Sequence, residues 1–195
     1  MFFAIIAAIA TILSLVLGLT VGVNVMGFTD GAIFRYIANT LLVMIIVNIV
    51  CAVFFQSLVN KIHPFKDIYR VGKWEQKMHL KLGVRLWKDK IPELGKVFAG
   101  YDKSKVGDMK DNKNVEMFIR NTIVAEYDHA FSAILGSLAI FVCLPVWHIV
   151  GLPLVFANLA INLMPVIVQR YNRPKLMMLY ARNERLAKNS DKVEG

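Results

Sequence analysis

Cysteine is scarce in this chain. Its two copies, Cys51 and Cys143, both lie in apolar runs with no His or Cys at metal-ligand spacing. That excludes a zinc framework, gives no reason for a disulfide, and leaves both as packing residues. The motifs of soluble catalysis are missing too: no GxSxG elbow, no HExxH pair and no Walker loop. Two membrane-enzyme patterns are likewise lacking, the His followed four residues later by Asp of a soluble-type acyltransferase loop and the Asp-rich array of a CDP-alcohol phosphotransferase. Acidic residues are outnumbered, 14 against 23 Lys and Arg. Without zinc-finger spacing, a stacking-aromatic motif or a Gly-rich phosphate loop, that excess does not read as nucleic-acid binding. It reads as anchoring to the anionic side of a membrane.

Long apolar runs are what the chain has. Hydrophobic residues make up 56% of its 195 positions, and the mean hydropathy is +0.51, well above an ordinary soluble domain. Residues 2–23 carry no charge, enough for a transmembrane helix at about 1.5 Å per residue. With no basic segment ahead of it and no small-residue cleavage site before a polar chain, it is expected to stay as a span rather than be removed as a signal. Three further spans are expected at 37–59, 131–150 and 152–168, the last two joined by a tight hairpin at Gly151-Leu152-Pro153. The expected fold class is therefore all-α integral membrane, with four transmembrane helices in a single membrane domain over 1–195.

The charges supply an orientation. The connection 24–36 holds only Asp30 and Arg35, whereas the middle region 61–130 is net +5 and the tail 170–195 net +4. Lys and Arg stay on the cytoplasmic side, and with four spans both basic regions fall on one side. This predicts a multi-pass protein of the bacterial cytoplasmic membrane with N-terminus, middle region and C-terminal tail all cytoplasmic.

The middle region is too apolar for a tether. Trp74, Met78, Leu82 and Leu86 recur every four residues, flanked by Lys73, Lys77, Lys81 and Arg85. That spacing predicts a basic amphipathic helix in the membrane interface, ended by Gly83, with His79 on its polar side. The alternation after Gly83 predicts an extended, Pro-broken segment over 83–95, pressed on the bilayer by Leu86 and Trp87. Residues 96–114 read as polar loop. A helix is expected from Val115, capped by Asn112 or Asn114, running unbroken into the third span.

On that helix Thr122, Glu126 and His129 share one face at the membrane entry. A carboxylate and an imidazole there are expensive to leave unpaired, and a His held by a carboxylate is a competent general base near neutral pH. The alternative is an ordinary buried ion pair. His63, His79 and His148 are weaker candidates. In the fourth span Asn158, Asn162, Pro165, Gln169 and Arg173 advance by steps of three and four, a polar stripe reaching down to the cytoplasmic surface. Such a stripe is either glue between helices or the wall of a lipid-facing active site.

Three pieces, "RLWKDKIPELG" (85–95), "NTIVAEYDH" (121–129) and "NLMPVIVQRYNRPKL" (162–176), together resemble the bacterial glycosyl-4,4'-diaponeurosporenoate acyltransferase family. The likeness is carried by Trp87, Lys88 and Lys90, by Ala125, Glu126 and His129, and by Asn162 with the run Val168 to Pro174. It implies a small membrane acyltransferase that places a fatty acyl chain on a sugar hydroxyl of a glycosylated carotenoid. The acceptor would be a glycolipid or other lipid-linked hydroxyl. The donor would be an acyl-CoA or acyl carrier protein thioester, with no separate cofactor and no metal. On this reading His129 takes the acceptor proton and Glu126 orients and charges it. Gln169 and Asn162 offer N–H groups to the oxyanion. Arg170, Arg173 and Lys175 hold the donor's phosphates, with Arg85 and Lys88 as weaker candidates. Asn172 and Trp87 complete the substrate-binding set. The acyl chain would lie between spans three and four. A non-catalytic tetraspan protein that organises lipids or partners is the rival reading, and an isoprenylcysteine-type methyltransferase ranks third. The oligomeric state stays open.

Overall fold

The computed structural model describes residues 2–91, 109–143 and 146–194. Among them there is no strand, and four helical stretches are long and apolar enough to cross a membrane: Phe2–Val23, Asp30–Ser57, Asn112–Cys143 and His148–Asn189. The expected all-α architecture with four spans is the one observed.

Helix α1 (Phe2–Leu17) widens into a π-helical turn over Gly18–Val23. A Cβ on Gly18 would lie 2.5 Å from the Ile33 side chain, so this glycine lets the second span come close. Helix α2 (Asp30–Ser57) starts earlier than the apolar run alone suggests. The Thr29 hydroxyl accepts a hydrogen bond from the Ala32 amide, and Asp30 lies in the first turn, at the positive end of the helix dipole. The polar connection between the first two spans is thus only 24–29, not 24–36.

Helix α3 (Lys73–Lys81) ends as expected at Gly83, whose φ of +60° is left-handed. The chain then departs from the extended segment expected over 83–95. Val84–Trp87 form a helical turn, α4, followed by a 3-10 turn over Lys88–Lys90. The reversal at Gly83 buries Val84 completely, and the Trp87 indole donates to the Leu82 carbonyl at 3.0 Å. One turn of helix accommodates both contacts. Pro92 and most of the expected loop 96–114 lie outside the described residues.

Helix α5 (Asn112–Ser137) runs unbroken from the basic middle region into the third span, as expected, and tightens to a 3-10 helix over Leu138–Cys143. Its cap is Asp111, whose carboxylate accepts from the Lys113 amide at 2.9 Å, rather than Asn112 or Asn114. The hairpin between the last two spans is also displaced. The third helix ends at Cys143, and helical structure resumes at Trp147. Gly151 and Pro153 therefore sit at the start of the fourth helix. A proline in a first turn leaves no helix bond unmade, and a Cβ on Gly151 would fall 2.8 Å from Ile140.

Helix α6 (Leu152–Glu194) is a single helix of 43 residues, with Pro165 and Pro174 inside it. The basic tail expected after residue 168 is its continuation. Each proline forfeits one bond to the carbonyl four residues earlier, and the helix persists because α5 packs along it. Ile33, Ile37, Cys143, Val146, Ile149 and Val150 form the core at the end away from the basic regions, and Ala10, Met44, Ala139, Leu154 and Ala157 the middle. Val115, Ile119 and Ile123, with Tyr69, Tyr127 and Leu176 beside them, form the core at the basic end.

Candidate active site

The two polar stripes face each other along α5 and α6. In the middle of the membrane-spanning part, the Asn158 amide nitrogen is 3.1 Å from the Ala133 carbonyl and 3.3 Å from that of Ser132. One turn on, Asn162 donates to both the main-chain carbonyl and the side-chain oxygen of Asn158, each at 3.0 Å. Its own oxygen lies 3.1 Å from Nδ1 of His129. Asn158 and Asn162 are buried, and His129 is half-buried.

The next turn toward the basic side holds two arginines and two carboxylates. Arg170 grips Glu75 with two parallel donors: Nε to Oε1, and Nη2 to Oε2 at 2.7 Å. Its Nη1 reaches Glu126 Oε1 at 2.6 Å. Arg173 has no exposed surface. Its guanidinium donates to the Thr122 hydroxyl at 3.1 Å, the Thr122 carbonyl at 3.1 Å and the Tyr69 carbonyl at 3.2 Å, and lies 2.5 Å from Glu126 Oε2. The cluster is neutral as a unit and its charges are paired; Glu126 Oε2 meets Arg173 as an ion pair without a hydrogen bond. It ties three elements together: α3 through Glu75, α5 through Thr122 and Glu126, and α6 through both arginines.

Several expected roles change on this geometry. Thr122, Glu126 and His129 do line one face of α5, but the expected pairing of Glu126 with His129 is replaced. Both oxygens of Glu126 are occupied by Arg170 and Arg173, and His129 is held by Asn162 instead. A guanidinium outcompetes an imidazole for a buried carboxylate because it stays charged and offers several donors. Arg173 is fully enclosed, with its Nε, Nη1 and Nη2 each turned to a protein oxygen, so it presents no surface to a donor's phosphates. Arg170 has little more to offer, with three of its donors turned to Glu75 and Glu126. Asn162 has no N–H left for an oxyanion, because both amide hydrogens go to Asn158.

Other candidates keep free chemistry. Gln169 and Asn172 are half-buried, and no hydrogen bond to either is seen among the described residues. Lys175 is exposed, with its ammonium 4.0 Å from the centre of the Tyr171 ring. Lys88 pairs with Asp89 at 2.6 Å, and Trp87 braces the turn after α3.

Sequence spacing does not single out Glu75. A lone carboxylate in a run of lysines, with His79 at i+4, is the only signal it gives. His79 shares its face of the helix with Glu75, and that face is turned inward: His79 is 2% exposed, 3.7 Å from Glu75 and edge-on to Tyr171. The Arg170 hydrogen bonds hold the Glu75 carboxyl below its usual range, while burial pushes His79 below its own. Glu75 and His79 thus turn toward the protein, while Trp74, Leu80, Leu82 and Leu86 remain exposed, Trp74 to 76%. A surface groove of about 470 Å³ lies between Phe65, Arg70, Met177, Tyr180 and Glu184. None of the polar-seam residues lines it, so the chemistry is placed by side chains and not by this groove.

The model of a family described as glycosyl-4,4'-diaponeurosporenoate acyltransferase matches residues 64–182. That range holds both arginines, both of their carboxylates, His129 and Asn162. No curated protein and no solved structure matches the chain.

Proposed function

The chain belongs to the glycosyl-4,4'-diaponeurosporenoate acyltransferase family, and we propose that it transfers a fatty acyl chain from a cytoplasmic thioester to a hydroxyl of a glycolipid or other lipid-linked acceptor. Acyl-CoA and acyl carrier protein thioesters both fit as donors. The supporting observation is His129, an imidazole held by an amide at the membrane entry of α5, one turn above a neutralised Arg–Glu cluster.

His129 takes the proton of the acceptor hydroxyl as its oxygen attacks the thioester carbonyl carbon. The tetrahedral oxyanion collapses, the C–S bond breaks, and the leaving thiolate recovers the proton as a thiol, leaving the ester on the acceptor. Gln169 and Asn172, with amide donors to spare, stabilise the oxyanion. Lys175, with Arg85 and Lys88, receives the donor's phosphates. Arg170, Arg173, Glu75 and Glu126 are assigned a different task from the one expected: they fix α3 and the two long helices relative to each other, so that donor and acceptor groups meet.

On this reading the protein lies in the bacterial cytoplasmic membrane with both termini and the basic region inside. The exposed Trp74, Leu80, Leu82 and Leu86 of α3 and α4 rest in the lipid interface with lysines around them. His129→Ala is the direct test. In membranes supplied with an acyl thioester and a glycosylated lipid acceptor, ester formation should fall by about 10²–10⁴-fold while the protein stays folded. Near-wild-type ester formation would overturn the reading.

A further inference from the structure

The amides beneath His129 do more than fill space. The Asn158 nitrogen faces the carbonyls of Ser132 and Ala133 at 3.3 and 3.1 Å. Carbonyl oxygens only accept, so the amide nitrogen points toward α5 and the side-chain oxygen points away, to Asn162. Asn162 is fixed in the same manner. Its nitrogen meets the main-chain carbonyl of Asn158 at 3.0 Å and the Asn158 side-chain oxygen at 3.0 Å. Turning either amide over would set oxygen against oxygen at hydrogen-bond distance. The Asn162 oxygen therefore faces His129 Nδ1 at 3.1 Å. An amide oxygen cannot donate, so the hydrogen in that contact belongs to Nδ1.

A neutral imidazole carries one ring hydrogen. We infer that Asn158 and Asn162 are positioning residues that lock neutral His129 as its Nδ1–H tautomer, leaving Nε2 as the free base. Gly136 makes room for the relay: a Cβ there would sit 2.9 Å from the nitrogen and the oxygen of the Asn158 amide. The sequence of bonds starts at helix carbonyls that cannot change role, so orientation passes along it without a charge. A carboxylate at the Asn162 position would bury a further negative charge one turn from Glu126 and set its second oxygen against those of Asn158. The use of Nε2 as the base for acyl transfer rests on the function proposed above; the tautomer itself does not.

The test is nitrogen NMR of the full chain, labelled with ¹⁵N-histidine, in detergent or nanodiscs at a pH where His129 is neutral. Its signals are assigned by their loss in His129→Gln. Should that variant not fold, His63, His79 and His148 are replaced one at a time, and the signal that survives all three is that of His129. The expected spectrum has a protonated Nδ1 and a bare Nε2. The reverse tautomer would overturn the inference whether or not the protein transfers acyl groups. In Asn162→Leu, which leaves Nδ1 without its acceptor, the Nδ1–H preference should fall about ten-fold. An unchanged tautomer ratio in that variant would also overturn the inference. If the tautomer is as expected and His129→Ala still transfers acyl groups, the relay stands and the proposed reaction fails.

Discussion

The α1–α2 half of the molecule and the α5–α6 half solve the same problem with opposite materials. The first two spans are almost wholly apolar, with side chains such as Ile9, Ile12, Val50 and Val53 turned outward. They approach each other where a side chain is absent, at Gly18 against Ile33, and α1 reaches the start of the fourth helix through a single polar contact, the Ser14 hydroxyl donating to the Val150 carbonyl at 2.9 Å. The last two spans meet across amides, an imidazole, a carboxylate and two guanidiniums. Lipid gives apolar helices little reason to prefer each other over lipid tails, so small residues and isolated hydrogen bonds are enough. A charged seam is expensive in the same setting and is tolerated only where every group is matched. That difference is why the proposed site is assigned to the second pair.

That contrast can be broken at its strongest point first. Arg173→Met removes the enclosed guanidinium and leaves Glu126 short of a partner. It should lower stability in detergent by about 3–5 kcal/mol, read as thermal unfolding. Adding Glu126→Gln should restore part of the loss, because the two sites are coupled. Additive effects would remove the case for a charge cluster. Gly136→Ala should cost about 1–3 kcal/mol, since the new methyl group strikes the Asn158 amide and the facing helix must shift. On the apolar half, Ser14→Ala should cost only about 0.5–1.5 kcal/mol, the value of one hydrogen bond. A larger loss there than at Gly136 would reverse the comparison.

The smallest effect is graded by pH. His79 is held below its ordinary value by burial, and Glu75 below its own by Arg170. For both, the unfolded state binds protons more readily, so the stability of the α3 region is present at neutral pH and falls on acidification. The histidine acts first, as pH drops below about 6.5, and the carboxylate only below about 4.5. Hydrogen exchange over residues 73–91 should rise in that order, and His79→Gln should flatten the first step alone.

Periodicity makes much of this legible. The four spans, the unbroken entry of α5 into the membrane, and the stripes through Thr122, Glu126 and His129 and through Asn158, Asn162 and Arg173 all follow from apolar length and helical spacing. The partnerships do not. Spacing of three says that Glu126 and His129 are neighbours on one helix, but it is blind to a guanidinium arriving from another. The buried roles of Glu75 and His79 were hidden for the same reason. The face of α3 that looks polar in sequence is the one a charged cluster can use, while its Trp and Leu residues are left outside.

The end of α6 shows where the division falls. Hydropathy marks where the lipid-compatible run stops, near Val168, because it sums transfer preferences residue by residue. It says nothing about where the helix stops. The helix continues to Glu194, and only that continuation keeps Arg170 and Arg173 in register to reach Glu75, Glu126 and Thr122. Sequence determined how many helices cross, which segments carry the positive charge, and which faces are polar, since those depend on local composition and a fixed period of about 3.6 residues. Tertiary structure decided which polar group meets which. Pairing is a competition among donors and acceptors far apart in the chain, and it is settled by which of them can be desolvated together.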